Sequence, residues 1–412
     1  MWGEGPPVGV GDTGPPLPFD YTFVMQRWPV VPAALLVAAC AHRPGAIPDV
    51  TEPTVAERAA EFEVPRTVVT PNEALGVDAL FARAERDLAA GDAQRASDGF
   101  DRVARTDPGG ELAPEAWLRA SEAQERLGDH LAAVARLEQL VRRYPADPLA
   151  REALVRLVRL HAHLENWKRA GWAATALLPD IDQLAPIEQT VVYGGKGLAL
   201  VFAGEVEEAE YFVEKGRNVV DDYQLDRAGR LPRDLAQLYF ALGEIRRVRA
   251  ERIQFVPVPS DFPTVLEQRC QLLLDAQSAY SDAMRAYDAH WSTMAGYRVG
   301  ELYQSLHTDL MKVPPPASAD TDDRRTLFEG AMRLRYTVLL EKARAMLDHT
   351  LAMAERTGER SQWVERTRAS RLAIERAIAR ENAVIDALPY ARADLRTALD
   401  ELGKRARDRA RE

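Results

Sequence analysis

Cysteine is nearly missing from this chain. Cys40 and Cys270 are the only two in 412 residues, which rules out a disulfide framework. Once either thiol is consumed by modification, no intrachain disulfide remains. Long apolar runs are missing too. The run Trp28–Cys40 (WPVVPAALLVAAC) is 13 residues and contains Pro29 and Pro32, whereas about 20 residues are needed to span the hydrocarbon core of a bilayer. Blocks of positive charge are absent. The formal net charge is −10, and Lys/Arg alternate with Asp/Glu as on solvated helix faces. A general nucleic-acid-binding protein needs a basic footprint instead. Histidine is scarce, and its seven copies form neither HExxH nor a Cys/His zinc spacing. His161 and His163 point to different sides of a helix, so they are poor co-ligands for one ion. No GxSxG occurs, and Gly194–Gly197 (GGKG) lacks the full phosphate-loop pattern and the hydroxyl residue after its lysine. Gly9-x-Gly11-x-x-Gly14 matches the dinucleotide fingerprint only in form, because no strand precedes it and Pro15-Pro16 follows. The sequence therefore offers no catalytic residue, metal site or cofactor, and the reading is of a protein that is not an enzyme.

What is present begins with an apolar run that stops at one of the two cysteines. The run has the dimensions of a signal-peptide h-region, Met25-Gln-Arg27 precedes it as a short basic flank, and small residues close it. "VAAC" (Val37–Cys40) resembles the bacterial lipobox, which implies cleavage after Ala39 and a lipid on Cys40. The alternative is a core helix with Cys40 as a small hydrophobe. Residues 1–24 are rich in Pro and Gly and carry no Lys or Arg. They read as disorder, or as a start assigned too early, with Met25 as the expected beginning. Residues 1–39 are thus the signal segment. Residues 40–76 are polar, proline-punctuated and aperiodic, and are expected to be a disordered tether with a reach of roughly 30 Å.

From Val77 the composition turns to Ala, Leu, Glu and Arg at helical spacing, and the chain begins to repeat. Gly91-Asp92 aligns with Gly128-Asp129, Ala96 with Ala133, Phe100 with Leu137 and Pro108 with Pro145, each pair 37 residues apart. Weaker copies centre on Glu165-Asn166, Gly204-Glu205 and Gly243-Glu244. Each unit reads as helix, tight turn, helix. Gly or Asn permits the positive φ that ends the first helix, and a small Ala lets the second approach closely. This pattern resembles the tetratricopeptide repeat family. Ala84, Gly91, Ala96, Phe100 and Pro108, then Trp117, Gly128, Ala133 and Pro145, stand where that family has its signature residues.

The expected fold is all-α: a tetratricopeptide-like α-solenoid over 77–256, a further helix pair over 257–315, and a C-terminal helical region of long helices over 316–412. Ala276, Tyr280, Ala283 and Tyr287 mark one helix face that reads as core packing. The resemblance implies a concave groove built by the first helix of each repeat. Phe81, Glu85, Glu122, Glu125, Arg159 and His163 fall on it and are the candidate partner-binding residues; the alternative for the charged ones is that they only keep the surface soluble.

Lipobox, tether and repeats together resemble envelope lipoproteins of Gram-negative bacteria that support envelope complexes. That resemblance implies a lipid-anchored periplasmic scaffold with protein partners, held at the outer membrane because Ala41 is not the Asp of inner-membrane retention. A cell-wall coordinating factor or non-catalytic subunit of an envelope enzyme is an alternative. A cytoplasmic repeat regulator is another, if the signal segment is not used.

Overall fold

The computed structural model describes residues 76–227 and 231–398. The expected signal segment, Ala39, Cys40 and the tether lie outside them. The described residues form helices and no strands: α1 Val77–Ala89, α2 Ala93–Thr106, α3 Ala113–Leu127, α4 His130–Arg143, α5 Pro148–His163, α6 Trp167–Leu177, α7 Pro186–Ala203, α8 Val206–Asp222, α9 Leu235–Arg252, α10 Phe262–Arg285, α11 Ala289–Leu310, α12 Asp322–Thr357 and α13 Gln362–Asp386. No described helix is long and apolar enough to cross a membrane.

The turn chemistry explains the repeat. Gly91, Gly128 and Gly204 adopt positive φ, and Glu165 does so at the equivalent point of the third unit. At each turn the next backbone N–H reaches back five residues: Asp92 to Asp87, Asp129 to Gln124, Asn166 to His161 and Glu205 to Leu200. This satisfies carbonyls that a helix end leaves open. The aspartates then cap the following helices. Asp92 accepts from the Arg95 amide and Asp129 from the Ala132 amide. "Gly-Asp" is therefore one two-residue device that stops one helix and starts the next.

Helices pair in sequence, and α3, α5, α7, α9, α11 and α13 also touch one another in series as an inner layer. Small residues bring the helices close. A Cβ on Gly99 would lie 2.8 Å from that of Ala84, and one on Gly194 would lie 3.0 Å from the Leu238 backbone. The glycines of GGKG thus serve helix crossings. Ala84, Ala96, Phe100, Trp117 and Ala133 are buried. The core runs in two overlapping stretches, from Phe81 to Val192 and from Ala162 to Ile378.

The fifth unit departs from the expected register. Gly243-Glu244 is not a turn, because α9 runs straight through it. Its partner is α10, reached through the loop 253–261, so pairing continues across the break at "VPVPSDFP". Gly243 is small for a different reason: a Cβ there would fall 2.5–2.9 Å from the ring of Tyr280. Of the expected α10 stripe, Ala276, Tyr280 and Ala283 are wholly buried, while Tyr287 lies beyond the helix end with positive φ and is 62% exposed. The long helix α12 ends at Gly358, again with positive φ.

Candidate protein-interaction surface

The expected groove residues fall into three environments. Phe81 is in the core, not on an open face; its ring meets that of Phe100 edge-on at 5.2 Å, because the first two helices need an apolar contact there. Glu85 is exposed on α1. Glu122, Glu125, Arg159 and His163 do come to the inner layer, but each is engaged by a neighbour.

Arg156, on α5, holds the two glutamates of α3, with Glu122 at 2.7 Å and Glu125 at 3.4 Å. Arg119 extends the strip at 3.1 Å from Glu122, and Glu152 lies 3.3 Å from Arg156. Partial burial pushes the Glu125 carboxyl up, against the pull of Arg156. Arg159 makes a two-pronged contact with Asp234, at the start of α9, at 2.8 and 3.2 Å. These pairs bind the inner helices to one another, and Arg156 and Asp234 had no motif to announce them.

His163, the last residue of α5, is enclosed in a histidine stack. Its ring centroid is 4.4 Å from that of His130 and 3.8 Å from that of His290, which opens α11. Glu359 stands 3.9 Å from His290. Burial, with the other histidines nearby, pushes His163 down to about 4, and burial does the same to His290. The adjoining turn is also bound, as Glu165 accepts from Gln362 and pairs with Arg366 at 3.5 Å. The end of α5 thus meets the beginnings of α9, α11 and α13. Among the described residues, no group of three or more His, Cys, Asp and Glu could hold a metal ion.

A further concavity lies elsewhere, between α6 and α7. It measures about 960 Å³ and is lined by Trp167, Trp172 and Phe202 with Lys168 and Lys196. Trp167 and Phe202 stack at 4.5 Å with their planes 2° apart. The signal for it was the pair of tryptophans in "NWKRAGWAATA", five residues apart and so unable to share one core face.

No protein-family model matches the chain, and no curated protein does. Among solved structures, the chain is similar to a tetratricopeptide repeat protein from Parabacteroides merdae, at 12% identity and a TM-score of 0.38, over 71% of this chain and 98% of that one. It is also similar to a circular tandem repeat protein with novel repeat topology, at 15% identity and a TM-score of 0.17, over 75% of this chain and 77% of that one. The fold itself is an all-α, tetratricopeptide-like stack of helix pairs.

Proposed function

We propose that this protein is a non-catalytic scaffold, anchored by a lipid on Cys40 to the outer membrane and facing the periplasm, where its helix stack brings together protein components of an envelope complex. The observation that carries the scaffold reading is the architecture: stacked helix pairs bury a continuous core while presenting an extended surface. The envelope reading is carried by "VAAC" at the end of a short apolar run after a basic flank, followed by a proline-punctuated segment.

The ion pairs of the inner layer bear on how partners bind. Glu122, Glu125 and Arg159 are already satisfied within the chain. A partner reaching them must displace Arg156 or Asp234, and exposed Glu85 is the more accessible of the expected contacts.

Fractionation of a Gram-negative host making the full chain tests this function. The wild type is expected in the outer-membrane fraction, and Cys40→Ser in the soluble periplasm or as unprocessed precursor. Cross-linking in intact cells is expected to join the wild type to envelope proteins. Recovery of both forms from the cytosol would replace this function with that of a cytoplasmic repeat regulator.

A further inference from the structure

The cleft between α6 and α7 has three properties that a merely solvated helix surface lacks. Its walls are large aromatics left in water: Trp172 is 45% and Phe202 38% exposed. Its floor is made of small residues, and at Gly171 the helices come so close that a Cβ would lie 2.5 Å from that of Ala199. A flat apolar segment can therefore lie against the helices between the aromatic walls.

Its charge is also unusual for this molecule. The chain carries 63 acidic against 53 basic residues, and inner arginines such as Arg136, Arg156 and Arg159 are paired with carboxylates. Arg169, beside the cleft, is held by Glu138 at 2.9 Å, and Glu165, at the cleft's end, is taken by Arg366. Lys168 and Lys196 line the cleft with no carboxylate in ion-pair range among the described residues; Lys196 instead lies 5.6 Å from the ring of Phe212. Two lysines without counter-charges beside exposed aromatics are complementary to an anionic ligand with an apolar part. The volume suits a short peptide better than a folded partner. The site is an open, shallow cleft shared by two packed helices, unlike the single amphipathic helix face that enters a bilayer.

We propose that this cleft is a docking site for a short acidic peptide segment of a partner protein, which lays one apolar side chain against Trp172 and Phe202 and sets its carboxylates on Lys168 and Lys196. The inference deepens the scaffold function by naming the partner's chemistry, and it depends on that function only in taking a protein as the ligand.

A phage-displayed random dodecapeptide library, selected on the immobilised full chain, supplies the probe; the enriched sequence is then synthesised with a fluorescein label and titrated by anisotropy. The expected peptides carry an aromatic or aliphatic residue beside Asp or Glu. Binding is expected to weaken by about tenfold or more in Trp172→Ala and in the double variant Lys168→Glu/Lys196→Glu. A peptide with its acids replaced by lysine is expected to regain affinity for the double variant, which a misfolded variant could not show. Absence of any enriched sequence, enrichment without acidic residues, or binding indifferent to both variants would overturn the cleft while leaving the scaffold function standing. Cleft-dependent binding only to phosphatidylglycerol vesicles would overturn it in favour of a lipid surface. An unlipidated, cytosolic protein would overturn the envelope role and leave the peptide result intact.

Discussion

The phenol of Tyr280 donates a 2.7 Å hydrogen bond to the carboxylate of Glu244, and both residues are wholly buried between α9 and α10. Arg247 meets the same carboxylate at 2.8 Å and Arg298, from α11, at 2.9 Å. Burial alone would raise the Glu244 carboxyl, but Arg298 and Arg247 outweigh it and hold it below the usual carboxylate range. One acid thus ties three helices together. Removing it leaves the buried Tyr280 hydroxyl without its acceptor and takes from each guanidinium its most buried partner, leaving Arg247 with Glu251 at 2.7 Å and Arg298 with Glu301 at 2.6 Å. Glu244→Ala is expected to destabilise by about 3–5 kcal/mol. Tyr280→Phe, which deletes only the phenolic donor, is expected to lose about 1.5–3 kcal/mol. Urea unfolding followed by circular dichroism checks both, and equal stability for Glu244→Ala and wild type would contradict this arrangement.

Ala133 is wholly buried where α3 and α4 approach, whereas its neighbour Ala132 is partly open, with its amide held by the Asp129 cap and its carbonyl by Arg136. Ala133→Leu is expected to overpack the contact and destabilise by about 1–3 kcal/mol, with Ala132→Leu within about 0.5 kcal/mol of wild type. Thermal melts of the two variants test the register of the second repeat, and coincident melts would refute it.

The histidine stack sets a pH dependence. His163 and His290 are held near 4 in the folded chain, and His130, Glu125, Asp288 and Glu359 are the other charged or titratable groups around them. In the unfolded chain the same imidazoles titrate near 6.5. Between these values the unfolded form binds more protons, so stability rises with pH. The stabilisation is complete above about pH 6.5 and is lost as pH falls toward 4, on the order of 1–3 kcal/mol after allowance for partial exposure. His163→Phe/His290→Phe keeps the rings and removes the titration. Its unfolding midpoint is expected to vary less than that of wild type between pH 7 and 5. Parallel curves would exclude the stack as the cause.

The inner ion pairs make a further prediction. Glu122 and Arg156 are half-buried at 2.7 Å. Glu122→Lys alone and Arg156→Glu alone are each expected to destabilise, and the exchanged pair to recover part of the loss, with a coupling of about 0.5–3 kcal/mol. Chemical denaturation of the four forms measures it, and strict additivity would show that the two side chains do not meet in solution.

The first two repeats were legible because their signals are local. Gly-Asp is a complete turn instruction, and Ala96 and Ala133 recur at equivalent buried positions, where close helix crossings demand a small residue. Gly243 was misread because glycine answers two needs with one letter, a left-handed turn or a neighbour's bulk. Only the position of Tyr280, 37 residues on, separates them. The candidate groove was legible in register and not in occupancy. Helical periodicity places Glu122 and Arg159 on the inner layer, but Asp234 is 75 residues from Arg159, and pairing at that distance depends on how far the stack turns. The aromatic cleft is likewise tertiary, since Trp172 and Phe202 are brought together only by the α6–α7 crossing.

The most direct test of the anchored scaffold is mass spectrometry of the mature N-terminus, extracted from membranes of a Gram-negative host that expresses the full chain. The expected N-terminal peptide begins at Cys40 and carries a thioether-linked diacylglycerol. An unmodified N-terminus at Met1 or Met25 would contradict the anchor and the envelope role together.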